Sequence, residues 1–153
     1  MEKKIRTAVY FLTAAMLAWG IIAAGAGWMV NQRLMHRLKI EGSAEYRPEW
    51  FRPSYELRNA QVVWRERVKI LSGSVRVEYD LLSVLGGVLR VRISGRGVQA
   101  RLLGEWAKIQ GVEETPVESF YAQLGVGREG LRAVEEVDVR SPAFQFRIRK
   151  SET

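Results

Sequence analysis

Residues 73–97 read GSVRVEYDLLSVLGGVLRVRISGRG, and two short alternations inside this stretch decide the fold. Val75, Val77 and Tyr79 alternate with Ser74, Arg76, Glu78 and Asp80; Leu89, Val91 and Ile93 alternate with Arg90, Arg92 and Ser94. Side chains on a strand point to opposite faces with period two, so each run has one apolar and one charged face. That is the pattern of an antiparallel sheet with one side covered and one side wet. The six apolar residues Val75, Val77, Tyr79, Leu89, Val91 and Ile93 are the candidate functional face, turned to lipid or to a partner, with Arg76, Arg90 and Arg92 on the wet side. The connection from Leu81 to Gly87 is itself apolar (LLSVLGG), unlike a solvated two-residue turn.

Upstream, Ala8–Val30 gives 23 residues without a charge. At about 1.5 Å per residue a helix of that length reaches roughly 35 Å, enough to cross a hydrocarbon core of about 30 Å. Tyr10 and Trp28 lie near its ends, where aromatic rings favour the interface, and Arg6 and Arg33 bracket it. The reading is a single membrane-spanning helix. A cleaved signal peptide, with Ala24 and Ala26 as the small residues before the cut, is the competing reading, but its apolar core is normally shorter. Gly20, Ala23, Ala24 and Gly27 give small-xxx-small spacing that would seat another helix. Basic residues are balanced around the span; the short basic leader MEKKIR favours an N-in signal anchor. The expected organisation is a cytoplasmic leader (1–7), a transmembrane helix (8–30), a juxtamembrane linker (31–37) and a translocated β-domain (38–153), periplasmic in a bacterial inner membrane.

The domain reads as a curved, one-sided antiparallel sheet, a half-shell of about six strands with one short helix, and the chain as mainly β. Strands are expected over 38–47, 55–64, from 68 through the 73–97 pair to 103, over 131–140 and over 143–150. The prolines Pro48 and Pro53 bracket Trp50 and Phe51 in a loop; these two aromatics read first as plugs of the open end of the sheet, where large apolar residues find burial, and alternatively join Tyr10 and Trp28 as membrane-interface candidates. The apolar phase changes across Ser72-Gly73-Ser74 and again across Gly95-Arg96-Gly97, which predicts two β-bulges that curl the sheet. Thr115-Pro116-Val117-Glu118 has capping-box form, and Val117, Phe120, Tyr121 and Leu124 share a helical face, so a helix is expected over 116–124. Residues 125–130 (GVGREG) lack the Lys and Ser or Thr of a phosphate loop and read as a flexible connector.

The chemistry of catalysis is absent from this pattern. There are no cysteines and one histidine, His36, which excludes a cysteine nucleophile and a Cys- or His-rich metal site. The pairs Glu113-Glu114 and Glu135-Glu136 point to opposite faces of a strand and have no partner acid or base, so they read as solvated charge. No enzyme activity, cofactor or metal is expected. The net charge of +7 favours anionic partners, but the basic residues are spread along strands and no nucleic-acid motif appears.

The run from Leu57 to Trp106, with LRNAQVVW, LSGSVRVEYDLLSVLGGVLRVRISGRGVQARLLG and the terminal SPAFQFRIR, resembles the repeating unit of the AsmA-like, or bridge-like, β-groove proteins of the bacterial envelope. The resemblance implies a trough whose apolar face holds phospholipid or glycolipid acyl chains, a role in lipid transport or envelope assembly, and association with another β-groove protein or a second copy. The alternative is a structural accessory subunit of a secretion or envelope complex that docks by β-augmentation. The two differ in what covers the apolar face.

Overall fold

The computed structural model describes residues 2–64, 66–103, 114–142 and 145–150. Among these residues one α-helix, α1 (Glu2–Arg37), is followed by seven strands: β1 (Ile40–Pro48), β2 (Ser54–Trp64), β3 (Val68–Asp80), β4 (Leu89–Leu102), β5 (Glu114–Gly127), β6 (Gly130–Arg140) and β7 (Gln145–Arg149). The strands form one open antiparallel sheet in chain order. The mainly β half-shell expected from the alternation is therefore the fold, with seven strands in place of about six. α1 continues without a break through residues 31–37, the segment read as a linker. It stops at Lys39, whose φ of 54° is the left-handed turn that ends a helix and starts β1 at once.

Register puts like with like. One row crosses six strands as Tyr55, Val77, Ile93, Ala122, Val137 and Ile148. The next apolar row reads Tyr46, Leu57, Val75, Gly95, Phe120, Val139 and Phe146. Between them, on the other face, runs Arg47, Glu56, Arg76, Ser94, Tyr121, Asp138 and Arg147. Opposite charges face each other along such rows, as in Glu78 with Arg92 and Glu136 with Arg149. Cross-strand pairs of this kind each add a few tenths of a kcal/mol, up to about 1, and penalise a slipped register.

The expected phase changes are present, but they are not two separate bulges. The β2–β3, β3–β4 and β4–β5 ladders all skip the same level, Asn59, Gly73, Gly97 and Glu118, and keep one register on both sides of it. Asn59 (φ 50°) and Gly97 (φ 62°) take the left-handed conformation there. The apolar set changes parity at this level in β2, β3 and β4 alike, so no strand loses register relative to its neighbour. Register does shift in the β1–β2 pair, between Ser43 and Glu45, and twice in β5–β6 beside Gln123 and Gly125.

Two further expectations are corrected. Residues 116–124 are the heart of β5, not a helix. Phe120, Ala122, Leu124 and Val126 alternate with Ser119, Tyr121 and Gln123, and β4 and β6 offer a ladder on each side. A nine-residue helix has no comparable source of stability, so tertiary pairing overrides the capping signal. Residues 125–130 are not a flexible connector; they close a β5–β6 hairpin over Arg128-Glu129. Glu113 and Phe144 lie outside the described residues.

The sheet curls strongly. In a flat sheet β6 would lie five strand steps, about 24 Å, from β1. Yet Arg37, three residues before the start of β1, donates from Nη1 to the Gly127 carbonyl at 2.8 Å, and a Cβ at Gly130 would lie 3.2 Å from the Arg37 carbonyl oxygen. Diagonal corners can meet in this way only if the sheet wraps around the helix end. The kink line makes a specific demand on Asn59. Replacing it by glycine should be tolerated, whereas Asn59→Val should cost about 1–2 kcal/mol because a β-branched residue strains at positive φ. Denaturant melts of the purified chain in detergent would measure both, and equal stability of the two variants would contradict the kink line.

Candidate functional site

The six apolar residues singled out from the alternation come together. Val77, Tyr79 and Val91 are buried in one cluster, and Val75, Leu89 and Ile93 pack against it. The other half of that cluster comes from the chain itself. Val30 and Leu34 of α1 sit among Tyr55, Leu57, Val77, Tyr79, Val91 and Val126. The first half of this apolar face is therefore covered by the chain's own helix. No helix over 116–124 is present to do it.

The small residues of α1 explain how the helix comes so close. A side chain at Gly20 would collide with the Trp50 indole, and one at Gly27 with the Tyr46 hydroxyl. Tyr46 Oη donates to the Ala24 carbonyl at 2.9 Å, and Tyr79 Oη to the Ala23 carbonyl at 3.5 Å. The stripe expected to seat another helix thus seats the sheet's own aromatics. Tyr46, Tyr55 and Tyr79 stack in tilted pairs, with ring centroids 5.2 and 6.2 Å apart. Burial, then the neighbouring Tyr79, pushes the Tyr46 phenol up to about 12. Burial raises Tyr55 further, with Tyr46 and Tyr79 adding to it, and burial alone raises Tyr79.

Exposure grows along the sheet away from α1. In the long apolar row Tyr55 is 1% exposed and Val77 3%, Ile93, Ala122 and Val137 are half-buried, and Ile148 is 46% exposed. Phe146, in the next row, is also exposed. Reading 116–124 as a helix hid the β5–β7 part of this face, although the alternation Phe120, Ala122, Leu124 was there to be seen. The opposite face is wet and paired: Arg76 bonds Glu49 at 2.8 Å, Arg147 bonds Glu136 at 3.1 Å and Arg90 lies 3.5 Å from Glu135.

Of the membrane-interface candidates, Tyr10 and Trp28 are exposed on α1, a helix long and apolar enough to span a membrane. Trp50 and Phe51 are exposed on the β1–β2 turn. Residues 82–86 form a 3-10 turn (Leu82–Gly86) with no buried residue, so the apolar connection noted in the sequence is an exposed one. Among the described residues no three His, Cys, Asp or Glu side chains are grouped to hold a metal. Comparison with known proteins returns no family model, no curated relative and no solved structure that matches the chain.

The tyrosine cluster carries a pH signature. The phenols keep their protons in the fold beyond the pH at which the unfolded chain, with its ordinary value of 10.0, loses them. Their contribution to stability is thus complete below pH 10.0 and declines as pH rises from there towards about 12. Urea midpoints of the full-length chain in detergent should be flat from pH 8 to 9.5 and fall above that. Tyr46→Phe, which removes the bond to Ala24 and costs about 0.5–1.5 kcal/mol, should shrink the alkaline fall. A fall of the same size in the Phe variant would contradict this assignment.

Proposed function

We propose that this chain is a non-catalytic, inner-membrane-anchored β-groove protein of the bacterial envelope. Its periplasmic sheet docks edge to edge with another β-groove, or with a second copy, and so extends an apolar face used for envelope assembly and lipid handling. The single observation that carries this reading is the row from Tyr55 to Ile148, buried under α1 at one end and bare at the other, on β7, which is the edge strand among the described residues. A strand added beside β7 would continue both apolar rows and cover Phe146 and Ile148. The backbone groups on the free side of β7 would provide the hydrogen bonds of such a junction. On the opposite face Arg147 already bonds Glu136 and Arg149 lies opposite the same residue, so the junction rests on the backbone and the apolar rows.

The helix cover decides the order of the two roles. Val30 and Leu34 occupy the place that acyl chains would take over β2–β4 and reach Val126 of β5, so docking comes first and lipid contact is confined to the rest of the β5–β7 strip and its continuation in the partner.

Native mass spectrometry of the full-length chain, extracted from its own membrane in mild detergent, tests the reading. The expected result is a defined complex with a second copy or another β-protein, lost in an Ile148→Asp variant that keeps its circular dichroism. Acyl lipid should be retained by the complex and released with it. A monomer free of partner and lipid in the unaltered protein would overturn the proposal.

A further inference from the structure

The end of the sheet nearest the middle of α1 carries an apolar surface that the sheet rows do not use. On the β1–β2 turn Trp50 and Phe51 are 53% and 67% exposed; on the β3–β4 connection Leu82 and Leu85 are 76% and 89% exposed, with Leu81 and Val84 about half exposed. The two loops belong together. The Tyr79 amide, one residue before the end of β3, donates to the Pro53 carbonyl at 2.9 Å.

Both loops are also tied to the span at a known level. Trp50 packs on Gly20, and the Tyr79 hydroxyl reaches the Ala23 carbonyl. Tyr10 and Trp28, the aromatic residues near the ends of the apolar segment, are 18 positions apart, which is about 27 Å of helix and close to the thickness of a hydrocarbon core. Gly20 lies eight residues before Trp28, about 12 Å inside that end. Helix residues Ile21, Ile22 and Met29 stay exposed on the side away from the sheet, so the apolar surface of α1 runs well past the level where Trp50 joins it. With the span seated between its own aromatic ends, the two loops lie below the headgroup plane. The nearby acids are engaged: Glu49 with Arg76 and Ser54, Asp80 with the Leu82 amide. Arg52 in the turn is exposed, and Arg47 and Arg90, beside Glu45 and Glu135, keep more than half of their side chains exposed, long enough to reach an anionic headgroup layer.

We infer that the β1–β2 turn and the Leu82–Gly86 turn are inserted in the leaflet on the domain side of the membrane that α1 spans, so that the sheet stands in the bilayer instead of hanging above it on a stalk. The occupant of this surface is lipid. The inference needs only the anchoring helix and is independent of any partner at β7.

The chain has no cysteine, which makes the test direct. Single Leu82→Cys, Leu85→Cys and Phe51→Cys variants of the full chain are labelled with an environment-sensitive fluorophore. They are reconstituted in vesicles of phosphatidylcholine and phosphatidylglycerol, with Glu66→Cys in the β2–β3 turn as the control. Labels at 51, 82 and 85 should emit at shorter wavelength than the label at 66 and lose most of their emission to lipids carrying a quencher on the upper acyl chain. They should resist aqueous iodide. Labels at 82 and 85 that iodide quenches as fully as the one at 66 would overturn the inference. Labels shielded from iodide yet untouched by quencher lipids would also overturn it, since protein would then be the cover. The substituted side chains are exposed, so loss of folding does not confound the readout.

Discussion

Close approach between a stripe of small residues on α1 and the aromatic end of the sheet is the contact on which the rest of this structure depends. Gly20 and Gly27 leave room for Trp50 and Tyr46, and two tyrosine hydroxyls bond to helix carbonyls. A larger residue at either glycine would push the helix off the sheet by the width of a side chain. Once seated, Val30 and Leu34 reach the centre of the apolar face, and burial at roughly 25 cal/mol per Å² holds anchor and domain together. The curl of the sheet follows the same demand. A flat sheet could cover one side of a helix end, whereas this one brings β6 to Arg37 as well.

The helix covers only part of the face. A seven-stranded sheet spans about 29 Å across its strands and a helix is about 10 Å wide, so even with the β5–β6 hairpin drawn in to α1 the outermost strand β7 stays exposed. That mismatch gives the domain its asymmetry: a closed core under α1 and an apolar strip running out to β7. Helix, core and outer strand therefore stand in a fixed order, with β7 farthest from α1 across the sheet.

Much of this was legible in the sequence because period two is unambiguous where charged and branched residues alternate, as in 75–79 and 89–93. The span was equally plain from its uncharged length. The phase changes at 72–74 and 95–97 were visible too. Their meaning was not, since one strand read alone looks bulged, and only the neighbouring strands reveal a single line through Asn59, Gly73, Gly97 and Glu118. β5 is ambiguous in the sequence for a related reason. Val117, Phe120, Tyr121 and Leu124 satisfy helical spacing while Phe120, Ala122 and Leu124 satisfy strand spacing, and the choice is made by ladders from residues far away in the chain. The cover over the candidate face was hidden for the same cause: local pattern says that a face is apolar, and tertiary contact says what lies on it.

The account turns on α1 being held inside the curl of the sheet, and a distance between spin labels measures that directly. With labels on cysteines at Arg33 and Glu129 of the full-length chain in lipid nanodiscs, pulsed electron resonance should give one narrow, short-distance population, because the helix end and the β5–β6 hairpin are in contact. A broad distribution centred well beyond the ~24 Å that five strand steps impose would mean that the helix swings free of an open sheet, and the covered groove would have to be abandoned.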